Sequence, residues 1–245
     1  MSRSRVTYPP LDLPKPIAEN VWIVDSGPLK AFGMPLPVRM TVIRLADGGL
    51  LLHSPTRYDS GLRMALEEIG PIAHLVAPNS AHWVFVGDWQ RHCPDAVTWS
   101  APGLRRRLPV RRSAVRLDRD LMPDGRDWPR EIEQIAVPGV GGFMEVALFH
   151  HPSRTLVLAD LIQNFEAEKL PLPMQIGGRL AGIVGPVGRA PVYLRALVKM
   201  KGAAPREAAR RMVALEPERV VFAHGAWFAS DAARRLRQSL DWLLG

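Results

Sequence analysis

The side chains of this chain that can do chemistry are few in kind: seven histidines, a set of carboxylates and one cysteine. Cys93 stands alone, which excludes an internal disulfide and any multi-cysteine zinc site and fits a reducing, cytoplasmic setting. Its neighbour His92 does not turn it into a thiolate nucleophile, because adjacent residues rarely face each other. Ser54, Ser80 and Ser230 lie in no G-x-S-x-G context, so the sequence writes no nucleophile elbow. The glycines at 177–178 and 182–188 match neither a phosphate loop nor a dinucleotide fingerprint. Imidazole and carboxylate remain. They are the materials of acid–base catalysis, or of a single zinc held by two histidines and one carboxylate.

The elements that must position such groups read as follows. Residues 20–26 (NVWIVDS), 38–45 (VRMTVIRL) and 49–54 (GLLLHS) are rich in strand formers and are separated by glycine-containing turns. Leu62, Ala65, Leu66 and Ile69 fall on one helical face, with Asp59 or Ser60 as the N-cap and Gly70-Pro71 as the stop. A strand over 73–77, a helix over 84–91 and a strand over 96–100 come next, followed by strands over 132–137, 144–150 and 155–159, the last ending on Asp160. Residues 170–191 are apolar and full of glycine and proline, the composition of a long loop that acts as a lid or a subunit contact. A helix over 205–215, a short strand over 218–223 ending on His224-Gly225, and a closing helix striped by Ala233, Leu236, Leu240 and Leu244 complete the chain. This order is neither a strict βαβ alternation nor all-β. Two facing sheets with helices outside, an α+β four-layer αββα sandwich, is the economical arrangement.

Two segments carry a family likeness. Residues 154–164, RTLVLADLIQN, resemble the strand that ends on the metal-bridging aspartate of metallo-β-lactamase-like hydrolases, and residues 205–225, PREAARRMVALEPERVVFAHG, resemble the helix, turn and strand that supply the last metal-binding histidine. VPGVGG at 137–142 occupies the place of the family's GHTPG turn. The chain is thereby similar to a degenerate bacterial branch of the metallo-β-lactamase superfamily, over a domain spanning 20–245 behind an N-terminal arm of 1–19. The H-x-H-x-D-H signature is absent: a gapless placement puts Asn79, Ala81, Trp83 and Val84 on its ligand positions and His82 on a spacer, while Val140 replaces the next histidine.

The resemblance leaves His82, Asp160 and His224 as the catalytic and metal-ligating candidates. It implies one divalent metal, zinc first, or none, and not a two-metal site. His53, at the position of the family's "hDtG" turn, Asn79 and Trp83 are the ligand-binding candidates, with Trp83 expected to fill space once held by a cation. The implied function is hydrolase-like action on, or binding of, a small apolar ester, lactone or amide. The alternatives are a non-catalytic binding module and a nucleic-acid-associated protein using the arginine-rich stretch 104–119. That stretch and the net charge of +8 permit polyanion binding, but no aromatic residue interleaves the arginines, so a solvated surface is the expectation. A small-molecule ligand and a homodimer are the expected partners. The chain shows no secretory signal and no apolar run long enough to span a bilayer, so no membrane partner is expected.

Overall fold

The computed structural model describes residues 6–31, 34–121, 128, 131–170, 172–185 and 187–245. Among these, seven strands form one sheet in sequence order: β1 (Lys15–Ala18), β2 (Val21–Ala31), β3 (Met34–Arg44), β4 (Leu50–His53), β5 (Ile72–Ala77), β6 (Val97–Ser100) and β7 (Arg119–Asp120). It is antiparallel as far as β4 and parallel beyond it. A second sheet runs β12-β10-β9-β8, from β8 (Ile132–Pro138), β9 (Met144–His150), β10 (Thr155–Val157) and β12 (Arg219–Val221). A two-stranded parallel pair, β11 (Gln163–Asn164) and β13 (His224–Gly225), stands at the end of the sandwich.

The layers follow from strand alternation, which sends neighbouring side chains to opposite faces. Ile43, Leu51, Val76 and Trp99 of the first sheet meet Ile132, Val146, Leu148 and Val157 of the second in one buried cluster. The other face of the first sheet, including Met40, Val42, Leu50, Leu52 and Leu75, packs on Leu62 and Leu66 of α1 (Ser60–Glu67) and on Val86 and Trp89 of α2 (Val86–His92). Asp59 caps α1 by accepting from Leu62 N at 2.9 Å. The outer face of the second sheet, with Ile135, Val137, Phe149 and Leu156, packs on α5 (Val192–Lys199), α6 (Ala203–Ala214), α7 (Ala232–Ser239) and α8 (Asp241–Leu244). The result is the expected four-layer αββα sandwich.

Two expectations need correction, and one is met. Lys15–Ala18, assigned to the arm, is the edge strand of the first sheet, because Lys15 and Pro16 pair with Ile23 and Trp22; residues 1–5 lie outside the described residues. The arginine-rich stretch is the solvated surface expected of it, mostly exposed and folded into short elements, a 3₁₀ turn (Leu104–Arg106), α3 (Leu108–Arg111) and β7. Several of its cations are used internally: Arg105 with Asp120, Arg116 with Asp118, and Arg119 over the Trp99 ring. The stretch 170–191 is not a structureless loop. It contains α4 (Leu172–Ala181), whose period is masked in the sequence by Gly177-Gly178 and the flanking prolines; Pro171 and Pro186 lie outside the described residues. Gly178 is required by packing, since a Cβ there would meet Val184 Cγ2 at 2.5 Å.

One buried ion pair ties β2 and β3 to the final strand region. Arg39 and Asp25 are cross-strand partners, with Nη2 2.6 Å from Oδ1 and both side chains buried. Lys15 also pairs with Asp25. Arg39 Nη1 donates to the carbonyls of Phe222 (3.1 Å) and Gly225 (2.7 Å), on either side of His224. Removing one member of a buried pair strands the other, which costs about 3–5 kcal/mol. Because Lys15 still neutralises Asp25, Arg39→Met is expected to cost about 3 kcal/mol in urea unfolding. A change below about 0.5 kcal/mol would show that the pair is not needed to hold this region.

Candidate metal centre

The group begins with a carboxylate that is not itself a candidate ligand. Glu145, inside β9, is fully buried. Its Oε1 accepts from Ala159 N (2.9 Å) and Leu161 N (3.3 Å), and its Oε2 accepts from Asp160 N (2.9 Å) and Asn79 Nδ2 (3.1 Å). Burial, and then the charge of Asp160, raise its pKa, while the donors around it pull the other way. Those donors are the backbone that leaves β10, so Glu145 fixes the position of Asp160.

Asn79 completes the frame. It bridges to Glu145 across the sheets and donates from the same amide to Asp160 Oδ2 at 2.8 Å. Its carbonyl oxygen is occupied by Ala81 N (2.9 Å) and His82 N (3.0 Å). Asn79 therefore has no free oxygen for a cation. It caps the turn that brings His82, a spacer in the aligned motif, round to Asp160.

His82 Nε2 lies 3.2 Å from Asp160 Oδ2, and His224 Nε2 lies 3.4 Å from Asp160 Oδ1. The ligand-capable atoms of these three residues all fall within 4.8 Å of one another, the group among the described residues that could hold an ion. Their side chains are 11 %, 16 % and 8 % exposed for His82, Asp160 and His224, so the group is sheltered but reachable. The far nitrogens of both rings are engaged, His82 Nδ1 by Ser54 Oγ at 2.6 Å and His224 Nδ1 by the Pro37 carbonyl at 2.8 Å. Gln163 Nε2 donates to Asp160 Oδ1 at 3.1 Å.

The placement of His224 depends on its neighbour. Gly225 pairs with Asn164 at φ +92°, and a Cβ there would sit 2.1 Å from the Asn164 carbonyl oxygen. Ser54, at the end of β4, also holds a left-handed backbone (φ 56°) that turns its hydroxyl towards His82. Ser54, Glu145 and Gln163 lie in no motif that marks them in the sequence, so sequence reasoning missed them.

The remaining candidates lie elsewhere. His53 is buried at the end of β4, its Nε2 has no hydrogen-bond partner among the described residues, and burial, then the charge of His82, lowers its pKa to about 3. It is a neutral buried ring behind His82 and presents no surface to a ligand. Trp83 packs half-buried against the cluster of α1, α2 and the first sheet. Val140 N is bonded to the Leu197 carbonyl of α5 at 2.9 Å, so the turn that lost its histidine is anchored to a helix.

The charges give a pH signature. Burial alone would lower the pKa of His82, but the charge and hydrogen bond of Asp160 outweigh it and the net shift is upward. Burial likewise opposes the downward shift of Asp160, which His82 and His224 carry well below the ordinary value. A histidine raised in the folded state stabilises fully below its unfolded pKa of about 6.5, and that contribution is lost as pH rises through the folded value. The Asp160 contribution is already complete at neutral pH and is lost only in acid. Chelator-treated protein should therefore lose thermal stability as pH rises above about 6.5, and His82→Asn should flatten the slope. A stability that rises over that range would contradict this assignment of charge.

The fold has solved relatives. The chain is similar to a metallo-beta-lactamase from Pontibacter korlensis (14 % identity, TM-score 0.56, covering 94 % of this chain and 97 % of that one). It is similar to the metallo-beta-lactamase FIM-1 from Pseudomonas aeruginosa in its mono-zinc form (14 %, TM-score 0.60, 94 % and 93 %). It is also similar to the Flv1 flavodiiron core from Synechocystis sp. PCC6803 (15 %, TM-score 0.64, 94 % and 60 %). Identities this low establish the metallo-β-lactamase fold alone. A comparison with curated proteins finds no match. One family does match, over residues 18–176, a span that contains His82 and Asp160 and stops before His224. The chain belongs to that family, the domain of unknown function DUF4336, built on a metallo-β-lactamase fold.

Proposed function

We propose that the protein is a hydrolase-like member of its fold with a one-cation site at His82, Asp160 and His224, zinc first, acting on a small, largely apolar ester, lactone or amide. The observation that carries this reading is the direction of the rings. A carbonyl only accepts, so the Pro37 oxygen requires the His224 proton on Nδ1. The Nε2 lone pair then faces an anionic carboxylate oxygen, an arrangement that needs a cation or a second proton between them. The separations of 3.2 and 3.4 Å are long for charge-assisted hydrogen bonds. They are close to the edge of about 3.3 Å of a tetrahedron with bonds of about 2.0 Å. Engagement of the outer ring nitrogens by Ser54 and Pro37 is the support that metal-bound histidines receive.

When bound, a divalent cation would supply a Lewis acid for a carbonyl oxygen and lower the pKa of water. The chain's own residues do the rest. Asn79 and Gln163 hold the Asp160 carboxylate from both sides, leaving its outer lone pairs to the site. Ser54 and Pro37 fix the ring planes. The positions aligned with the lost motif supply no second set of ligands: they hold Asn79, whose oxygen is occupied, and Ala81, Trp83, Val84 and Val140.

The non-catalytic alternative draws on the same shelter, a binding pocket with its chemistry lost. Nucleic-acid binding draws less support, since Arg105, Arg116 and Arg119 have partners within the fold. A panel of aryl esters, lactones and anilides, assayed with and without added zinc, separates the first two readings. Zinc-dependent turnover should fall by about a hundredfold or more in Asp160→Asn and His224→Ala. Ligand binding without turnover, unchanged by zinc, would favour the non-catalytic reading.

A further inference from the structure

We propose that the surface formed by α4 and α5 docks the protein on an anionic lipid bilayer. Leu172, Ile176 and Leu180 recur at four-residue spacing along α4, and Val192, Tyr193 and Met200 mark the two ends of α5. All six are between 51 % and 80 % exposed. Isolated apolar residues on a surface need no explanation, but a helical stripe joined to a second cluster marks an interaction face. The two helices adjoin, since the Arg195 guanidinium of α5 comes within contact distance of Gly182, just beyond α4.

The charge of the same segment identifies the occupant. Between Glu168 and Glu207 the chain has no acidic residue, while the same segment carries Arg179, Arg195, Lys199 and Lys201. Arg179, Lys199 and Lys201 are exposed. An exposed apolar stripe in a segment that carries cations and no carboxylate is the pattern that lies in a headgroup layer, apolar side into the acyl boundary and cations against anionic lipids. A second copy is a poorer occupant, because a symmetric contact through this face would set its cations against the same cations of the partner. The docking is peripheral: no helix among the described residues is long and apolar enough to cross a membrane. It departs from the sequence expectation of no membrane partner, which rested on the absence of a spanning segment. The face also lies beside the candidate metal centre. The segment carrying α4 leaves from β11 and returns to it through the bridges Phe165–Val184 and Gln163–Arg189, and β11 pairs with the strand that carries His224.

Sedimentation of the full chain with vesicles of phosphatidylcholine, alone or with about a third phosphatidylglycerol, tests the proposal. The protein should sediment with the anionic vesicles, not with the neutral ones, and should be released by salt. The double variant Ile176→Asp, Leu180→Asp should weaken this by about tenfold or more, and Lys199→Glu, Lys201→Glu likewise. Both pairs are exposed, so circular dichroism should be unchanged, and zinc content should be unaffected, which separates this test from the metal reading. Absence of binding to anionic vesicles, or binding insensitive to the apolar substitutions, would overturn it. A dimer in light scattering that the same apolar substitutions dissolve would assign the face to a protein contact instead.

Discussion

The candidate site depends on one buried carboxylate. Glu145 sits in the middle of β9 and gathers three consecutive backbone N–H groups from the segment leaving β10, together with the Asn79 amide from across the sandwich. A segment that leaves a strand inside the protein must place its N–H groups somewhere, and leaving several unpaired costs more than the net value of the bonds themselves. Glu145 meets that need at a single point. Because the Asp160 N–H is one of the three, the same bonds aim its carboxylate, and because Asn79 also bonds Glu145, the turn that carries His82 is set by the same anchor.

A second buried charge does the corresponding work for His224. Arg39 is neutralised by Asp25 and spends its donors on the carbonyls of Phe222 and Gly225, while the Pro37 carbonyl, two residues away in the same strand, takes the His224 ring. β3 thus orients both the backbone and the side chain of the last histidine. Asp160 and His82 follow strands and His224 lies in the short strand β13, and each is held by a buried polar group: Glu145, Asn79 and the Pro37 carbonyl.

The sandwich was legible because its signals are local: alternation in the strands, the Leu62–Leu66 helical face, and turns at glycine and proline. Asp160 and His224 were legible because each follows a strand in a segment that resembles a known one. The partners that make the site were not. Glu145 reaches backbone groups of Ala159, Asp160 and Leu161 in the next strand's exit, Arg39 reaches carbonyls near the C-terminus, and Ser54 reaches His82 through an unusual backbone turn. None of these leaves a spacing in the sequence. Asn79 and Trp83 were read as site residues from alignment to the lost motif. Their environments assign Asn79 to holding the frame and Trp83 to the outer core. The helix α4 was hidden for a simpler reason: paired glycines and flanking prolines lower helix propensity, and packing on Val184 overrides it.

The account turns on whether two imidazoles aimed at one carboxylate mark a place for a single cation. Elemental analysis of protein equilibrated with excess zinc and then desalted measures this directly. The account predicts one zinc per chain in the wild-type protein and none in Asp160→Asn or in His82→Ala, His224→Ala. Two ions per wild-type chain, or an unchanged content in those variants, would contradict it.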